Sequence, residues 1–313
     1  MKRLFILASA AALMLASCAK TTVVYNEAPE EISFKQVTNV MTKAGEETTS
    51  LNAATTMGVF AFLNNDGNEG NVYFNNISFA KHATENYWVG GQYWPFQNNL
   101  NFVVYAPHDN DASYSNKVVS GISVDNSSNT VITTQTDYLY GAIYYDDEDD
   151  KGYNQELVAT TLKHALSKIT LSFSGSNVTV KTVSLVNPTL KGEYKVDYTT
   201  PDTPSVTWTT TTPENNNIQL SGWTEAELTN TPTNVSIMVV PATASDIVIT
   251  YVIKGTDDVL TATIDLTESW TTGHHYKYNI TVTPKEIQFS TPIVQSWEGE
   301  SEDPIDVSYP DND

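Results

Sequence analysis

The chain has 313 residues, with 16 lysines and arginines against 37 aspartates and glutamates, a formal charge of −21. So acidic a surface repels nucleic acid and anionic lipid headgroups, which excludes both as partners held by charge. A single cysteine allows no internal disulfide, and abundant Thr, Asn, Ser, Val and Tyr without helix-forming runs make the fold mostly β, held by its core alone.

Met1, Lys2 and Arg3 open the chain with positive charge, and Leu4 to Leu15 follow as an almost unbroken apolar run. That run is too short to cross a bilayer, so residues 1–17 read as a secretory signal that is removed. Leu15, Ala16, Ser17 and Cys18 resemble the lipobox of bacterial lipoproteins. The resemblance implies a diacylglycerol on the Cys18 thiol, a cut before that residue, and acylation of the new amino group. Two or three acyl chains on one residue anchor a protein stably, which one does not. Loss of Lys2 and Arg3 with the signal leaves 14 basic residues against 37 acidic ones, and no arginine. Residues 18–31 are polar, with Pro29 near their end, and read as a tether.

A first β domain is expected over 32–150. Ile32 and Phe34 start it, and a loop opens at Thr42, Lys43, Ala44 and Gly45. Met57, Val59, Phe60 and Phe62 form a strand that stops at the turn cluster Asn64 to Gly67. Val72, Phe74, Ile77 and Phe79 continue the pattern, followed by Trp88 and the Tyr93, Trp94, Pro95 motif. Leu100, Phe102 and Val104 alternate as a half-buried strand does, and further strands are expected at 118–124 and 138–145. Five carboxylates, Asp146, Asp147, Glu148, Asp149 and Asp150, then interrupt the pattern as a hydrated loop or hinge. As a calcium loop opened at Asp147 this run lacks the needed acids, since Lys151 and Val158 stand at those places. No metal and no cofactor is expected.

A second β domain is expected over 151–313, ending in a mobile acidic tail. Ile169, Leu171 and Phe173 share one strand face, and His164 just before them has no Ser or carboxylate at an identifiable partner spacing. It reads as a satisfied structural histidine and not as a base. Residues 247–253 and 259–266 flank Lys254 to Asp258 as a hairpin. In the strand from Trp270 to Val282, alternation puts His274 and His275 on opposite faces, so they cannot bind one ion together. A last apolar stripe falls at Ile287, Phe289, Ile293 and Trp297.

Taken in order, these pieces resemble the fimbrillins of Bacteroidia. The resemblance rests on the lipobox, the Thr42 to Ala44 junction, Tyr93 to Pro95 leading to Tyr105, Ala106 and Pro107, the 162–169 stretch with His164, and the Trp270, Gly273, Tyr276, Tyr278 strand. It implies an all-β chain of two transthyretin-like β-sandwich domains in tandem and a structural or adhesive subunit of a type V pilus, not an enzyme. It also implies an outer-membrane lipid anchor, other pilus subunits as partners, a host or bacterial surface as a further ligand, and residence in the fimbrium after maturation.

In such a family a surface protease removes the N-terminal strand, and a neighbour's donor strand fills the groove. Here the strand with Ile32 and Phe34 is the candidate for removal and the stripe Ile287, Phe289, Ile293, Trp297 the candidate donor, the alternative for both being ordinary edge strands of a permanently closed sandwich. Family members are cut after arginine, whereas this chain offers Lys43 before Ala44 as the maturation site. The alternative, a lipid-anchored surface glycan-binding protein, would stack sugars on Trp88, Trp94, Trp208 or Trp223, although their place beside turn-bounded strands points to the core. A β-sandwich hydrolase would need a paired acid and base, and the spacing of the acids indicates none.

Overall fold

Runs rich in Val, Thr and aromatic residues, broken by Gly, Asn and Asp, fold as strands and turns. The computed structural model describes residues 30–36, 56–65, 68–83, 87–95, 98–144 and 158–297, and the regular elements among those described residues are all β-strands. In chain order they are β1 (Glu31–Gln36), β2 (Thr56–Asn65), β3 (Asn68–Lys81), β4 (Trp88–Tyr93), β5 (Leu100–Ala106), β6 (Ser113–Ser115), β7 (Val118–Asp125) and β8 (Leu139–Ile143). Beyond the acidic run come β9 (Val158–Thr160), β10 (Lys163–His164), β11 (Ser167–Gly175), β12 (Val178–Leu185), β13 (Thr189–Asp197), β14 (Ser205–Pro213), β15 (Ile218–Gln219) and β16 (Ala226–Glu227). The chain closes with β17 (Thr233–Val239), β18 (Ile247–Ile253), β19 (Val259–Ile264), β20 (His274–Val282), β21 (Ile287–Phe289) and β22 (Ile293–Ser296).

Four sheets result. The first runs β10-β8-β5-β2-β3-β4-β1-β9 and the second β14-β13-β7-β6. The third runs β17-β11-β20-β21, with β22 also on β20, and the fourth runs β15-β12-β18-β19, with β16 also on β12. The third and fourth enclose one core, in which Ile169, Leu171 and Phe173 meet Val178, Val180, Ile247 and Ile249. The acidic run falls outside the described residues, and the chain beyond it contributes β9, β10, β13 and β14 to the first two sheets.

The first sheet is buried on both sides because β2 carries two interleaved apolar sets. Met57, Val59 and Ala61 face one core, while Phe60 and Phe62 face another shared with Val119, Ile122, Tyr194 and Val196 of the second sheet. The same holds for β5, where the half-buried reading is corrected: Leu100, Phe102 and Val104 line the first of these cores and Val103 and Tyr105 the second. An unbroken apolar run is what a strand covered on both faces requires.

The remaining core lies inside a fold of the first sheet upon itself. Phe34 of β1 meets both Phe79 of β3 and Phe102 of β5 edge to face, each at 5.1 Å between ring centroids. Along the sheet β1 and β5 are separated by β4, β3 and β2, so ring contact between them requires the sheet to curl over that core.

Candidate strand-exchange elements

Strand β1 is short and deeply set. Ile32 and Phe34 are 0% and 1% exposed and both line one core; Ser33 between them is also buried, and Glu31 and Lys35 on either side are exposed. It lies inside the sheet, antiparallel to β4, with Phe34 opposite Trp88, and parallel to β9, with Phe34 opposite Val158. That second ladder extends over three residue pairs only. Side-chain burial, more than backbone pairing, therefore holds β1 in place. The candidate cut at Lys43 and Ala44 lies outside the described residues, as do Cys18 and the lipobox residues Leu15, Ala16 and Ser17.

The tail is arranged the opposite way. Strands β21 and β22 both lie antiparallel along β20, with Ile287 opposite Val282 and Phe289 opposite Ile280, then Ile293 opposite Lys277 and Val294 opposite Tyr276. Between them the amide of Ser290 donates to Asn279 O at 3.4 Å, and beyond them Trp297 N–H donates to Gly273 O at 2.7 Å. Phe289, Ile293 and Val294 are 47%, 49% and 49% exposed. The four stripe residues do not share a face here. The register slips by one residue across Ser290 to Pro292, so Ile287 and Phe289 sit on the core face with Val282 and Ile280, whereas Ile293 and Trp297 sit on the face of Lys277 and Gly273.

Trp297 reaches a contact that no local pattern indicated. Its ring stacks on His164 at 3.8 Å between centroids and 7° between planes. On the other side His164 Nδ1 is 2.9 Å from Asp137 Oδ2, and Asp137 is buried. The two side chains are in close contact but not aligned for a hydrogen bond. A carboxylate partner thus exists for His164, at a spacing that only the pairing of β8 with β10 creates.

His274, His275 and Tyr105 find their partners within the fold. His275 is buried and its Nε2 lies 2.8 Å from Thr170 Oγ1, while His274 Nδ1 lies 2.8 Å from Thr272 O. Burial lifts the Tyr105 phenol to about 12, and its hydroxyl lies 2.6 Å from Asn76 Oδ1 and 2.8 Å from Asp109 O, two acceptors for its one proton. Among the described residues no group of three His, Cys, Asp or Glu is placed to hold a metal ion. Trp88, Trp94 and Trp223 are buried, and Trp208 packs against the second core with Nε1 donating to Thr272 Oγ1 at 3.3 Å. None of these four indoles stands out as a free platform for a sugar ring.

Comparison with known proteins agrees with this arrangement of strands. A family model described as fimbrillin-like matches residues 41–297. Among solved structures, a fimbrial protein from Bacteroides vulgatus is 16% identical, covering 85% of this chain and 99% of its own, with a TM-score of 0.55. A Bacteroides ovatus protein ascribed to cell adhesion is also 16% identical, covering 88% of this chain and 100% of its own, with a TM-score of 0.54. At that identity both likenesses speak to the fold. No curated protein matches the sequence significantly.

Proposed function

Because the chain belongs to the fimbrillin-like family, we propose that it folds as two transthyretin-like sandwiches in tandem and is a structural or adhesive subunit of a type V pilus, assembled by donor-strand exchange between neighbouring subunits. It travels as a lipoprotein precursor acylated on Cys18 and reaches the outer face of the outer membrane. Cleavage between Lys43 and Ala44 then separates β1 from the rest of the chain. Its partners are other pilus subunits, with a host or bacterial surface as a further ligand.

The observation that carries this reading is the unequal hold on β1. Two fully buried side chains, an interrupted antiparallel ladder to β4 and a three-residue parallel ladder to β9 secure it, so its departure leaves an apolar slot and open backbone on β4 and β9. Exposed edges and apolar slots are unfavourable in water and favour refilling by an extended strand with alternating apolar side chains. The segment 287–297 offers such side chains, half-exposed where it lies.

Sequencing the N-terminus of protein recovered from the cell surface tests the scheme. Cys18 marks the anchored form and Ala44 the matured one. Lys43→Gln is expected to leave only the anchored form and to block polymerisation, and unchanged processing would rule this site out. Cys18→Ser is expected to shift the chain out of the membrane fraction.

A further inference from the structure

Little side-chain burial holds the tail on β20. From Ile287 to Ser296 no residue is buried, and a ladder of backbone hydrogen bonds alone barely offsets the entropy of ordering the residues that make it. The segment is fixed at its ends. Ile287 packs against the core of the third and fourth sheets, and Trp297 packs against the core of the first and second.

The Trp297 end is the more fully built. The indole lies flat on His164, and its amide donates to Gly273 O, while Gly273 N–H donates to Leu166 O at 2.9 Å. His164 is itself positioned by its pairing with Leu139, by the Ala165 amide donating to Tyr138 O at 2.8 Å, and by Asp137 beside Nδ1. The ring on which the tail rests is therefore set by β8 and β10 of the first sheet, while the ladder belongs to β20 of the third. Nothing in strand pairing alone demands that contact.

We propose that Trp297, His164 and Asp137 form a clasp that decides whether residues 287–297 stay on β20 or leave it as a free strand. Opening the stack removes the far anchor, and the segment then frays from Ser296 toward Phe289. Asp137 acts through His164 as a positioning residue. The clasp stands without the donor-strand reading, and only its consequence for assembly rests on that reading.

Hydrogen exchange of the full chain tests it, comparing Trp297→Ala, Trp297→Phe and Asp137→Asn with the parent. In Trp297→Ala the amides of 293–297 are expected to exchange roughly tenfold faster or more, while β11 and β17 keep their protection. Trp297→Phe is expected to recover most of the loss, since a flat ring returns to His164, and Asp137→Asn to fall between. Unchanged tail exchange in Trp297→Ala overturns the clasp, and so does an equal rise throughout β11 and β17. Parental protection in Asp137→Asn removes Asp137 from it. Polymerisation is read separately: a freed tail with assembly at the parental rate upholds the clasp and refutes the donor reading.

Discussion

Replacing Phe34 by Ala probes the hold on β1 most directly. The ring is 1% exposed and makes edge contacts at 5.1 Å with both Phe79 and Phe102, so its removal leaves a cavity that rigid neighbouring rings cannot close. Truncations of this kind cost about 3–5 kcal/mol. With a urea slope of about 2–3 kcal/mol per molar, the unfolding midpoint falls by roughly 1 M or more. Tryptophan emission reports it, since Trp88 and Trp94 line the same core. Val72→Ala, at a side chain 58% exposed, is the control and is expected to stay within about 0.5 kcal/mol. A loss below about 1 kcal/mol for Phe34→Ala would refute the claim that side-chain burial secures β1.

Alkaline titration tests the second core: burial lifts Tyr105 and Tyr144 to about 12 and Tyr194 and Tyr198 well above their ordinary value. Phenols raised in the folded state stabilise fully below the unfolded value near 10, and that contribution falls as pH rises toward 12. Urea midpoints should therefore hold up to about pH 9 and drop beyond 10, with phenolate absorbance lagging in the folded chain. Gly58→Ala places a methyl against the Tyr105 ring and should destabilise by about 1–3 kcal/mol, seen as a lower melting temperature. Gln135→Ala removes a buried amide that donates to Met238 O at 2.9 Å and accepts from Met238 N at 2.7 Å. Two backbone groups then lose their partner, at about 2 kcal/mol or more by urea denaturation; a change under about 0.5 kcal/mol would mean that water replaces the amide.

Alternation was enough to place Ile32 and Phe34 on one face, because a strand with a single core face writes its geometry into every second residue. It misjudged β5, where Val103 and Tyr105 carry a second core that the even-numbered residues cannot indicate; the apolar run Phe102 to Ala106 held that signal. The tail stripe was legible as apolar but not as split, since the slip at Ser290 to Pro292 arises from pairing with β20 and not from the segment's own pattern. Nor does any spacing connect Trp297, His164 and Asp137, which meet only through the pairing of β10 with β8 and of β22 with β20.

The slip bears on the proposed exchange. In an unbroken strand, residues 287, 289, 293 and 297 all fall on one side, but on β20 the one-residue shift divides them and leaves Phe289 and Ile293 half in water. A slot vacated by β1 is lined by Phe79, Trp88, Phe102 and Val158. Moving Phe289 and Ile293 from half-exposed to fully buried gains about 2–3 kcal/mol from those two side chains. The segment is thus poorly satisfied where it lies, and the proposed exchange would bury what β20 leaves exposed. If that difference drives assembly, inserting one glycine between Ser290 and Thr291 should shift Ile293 and Trp297 to the wrong side of a straight strand and slow polymerisation. Polymerisation at the parental rate with the insertion would show that the four apolar positions do not act together, and would sink this account of the driving force.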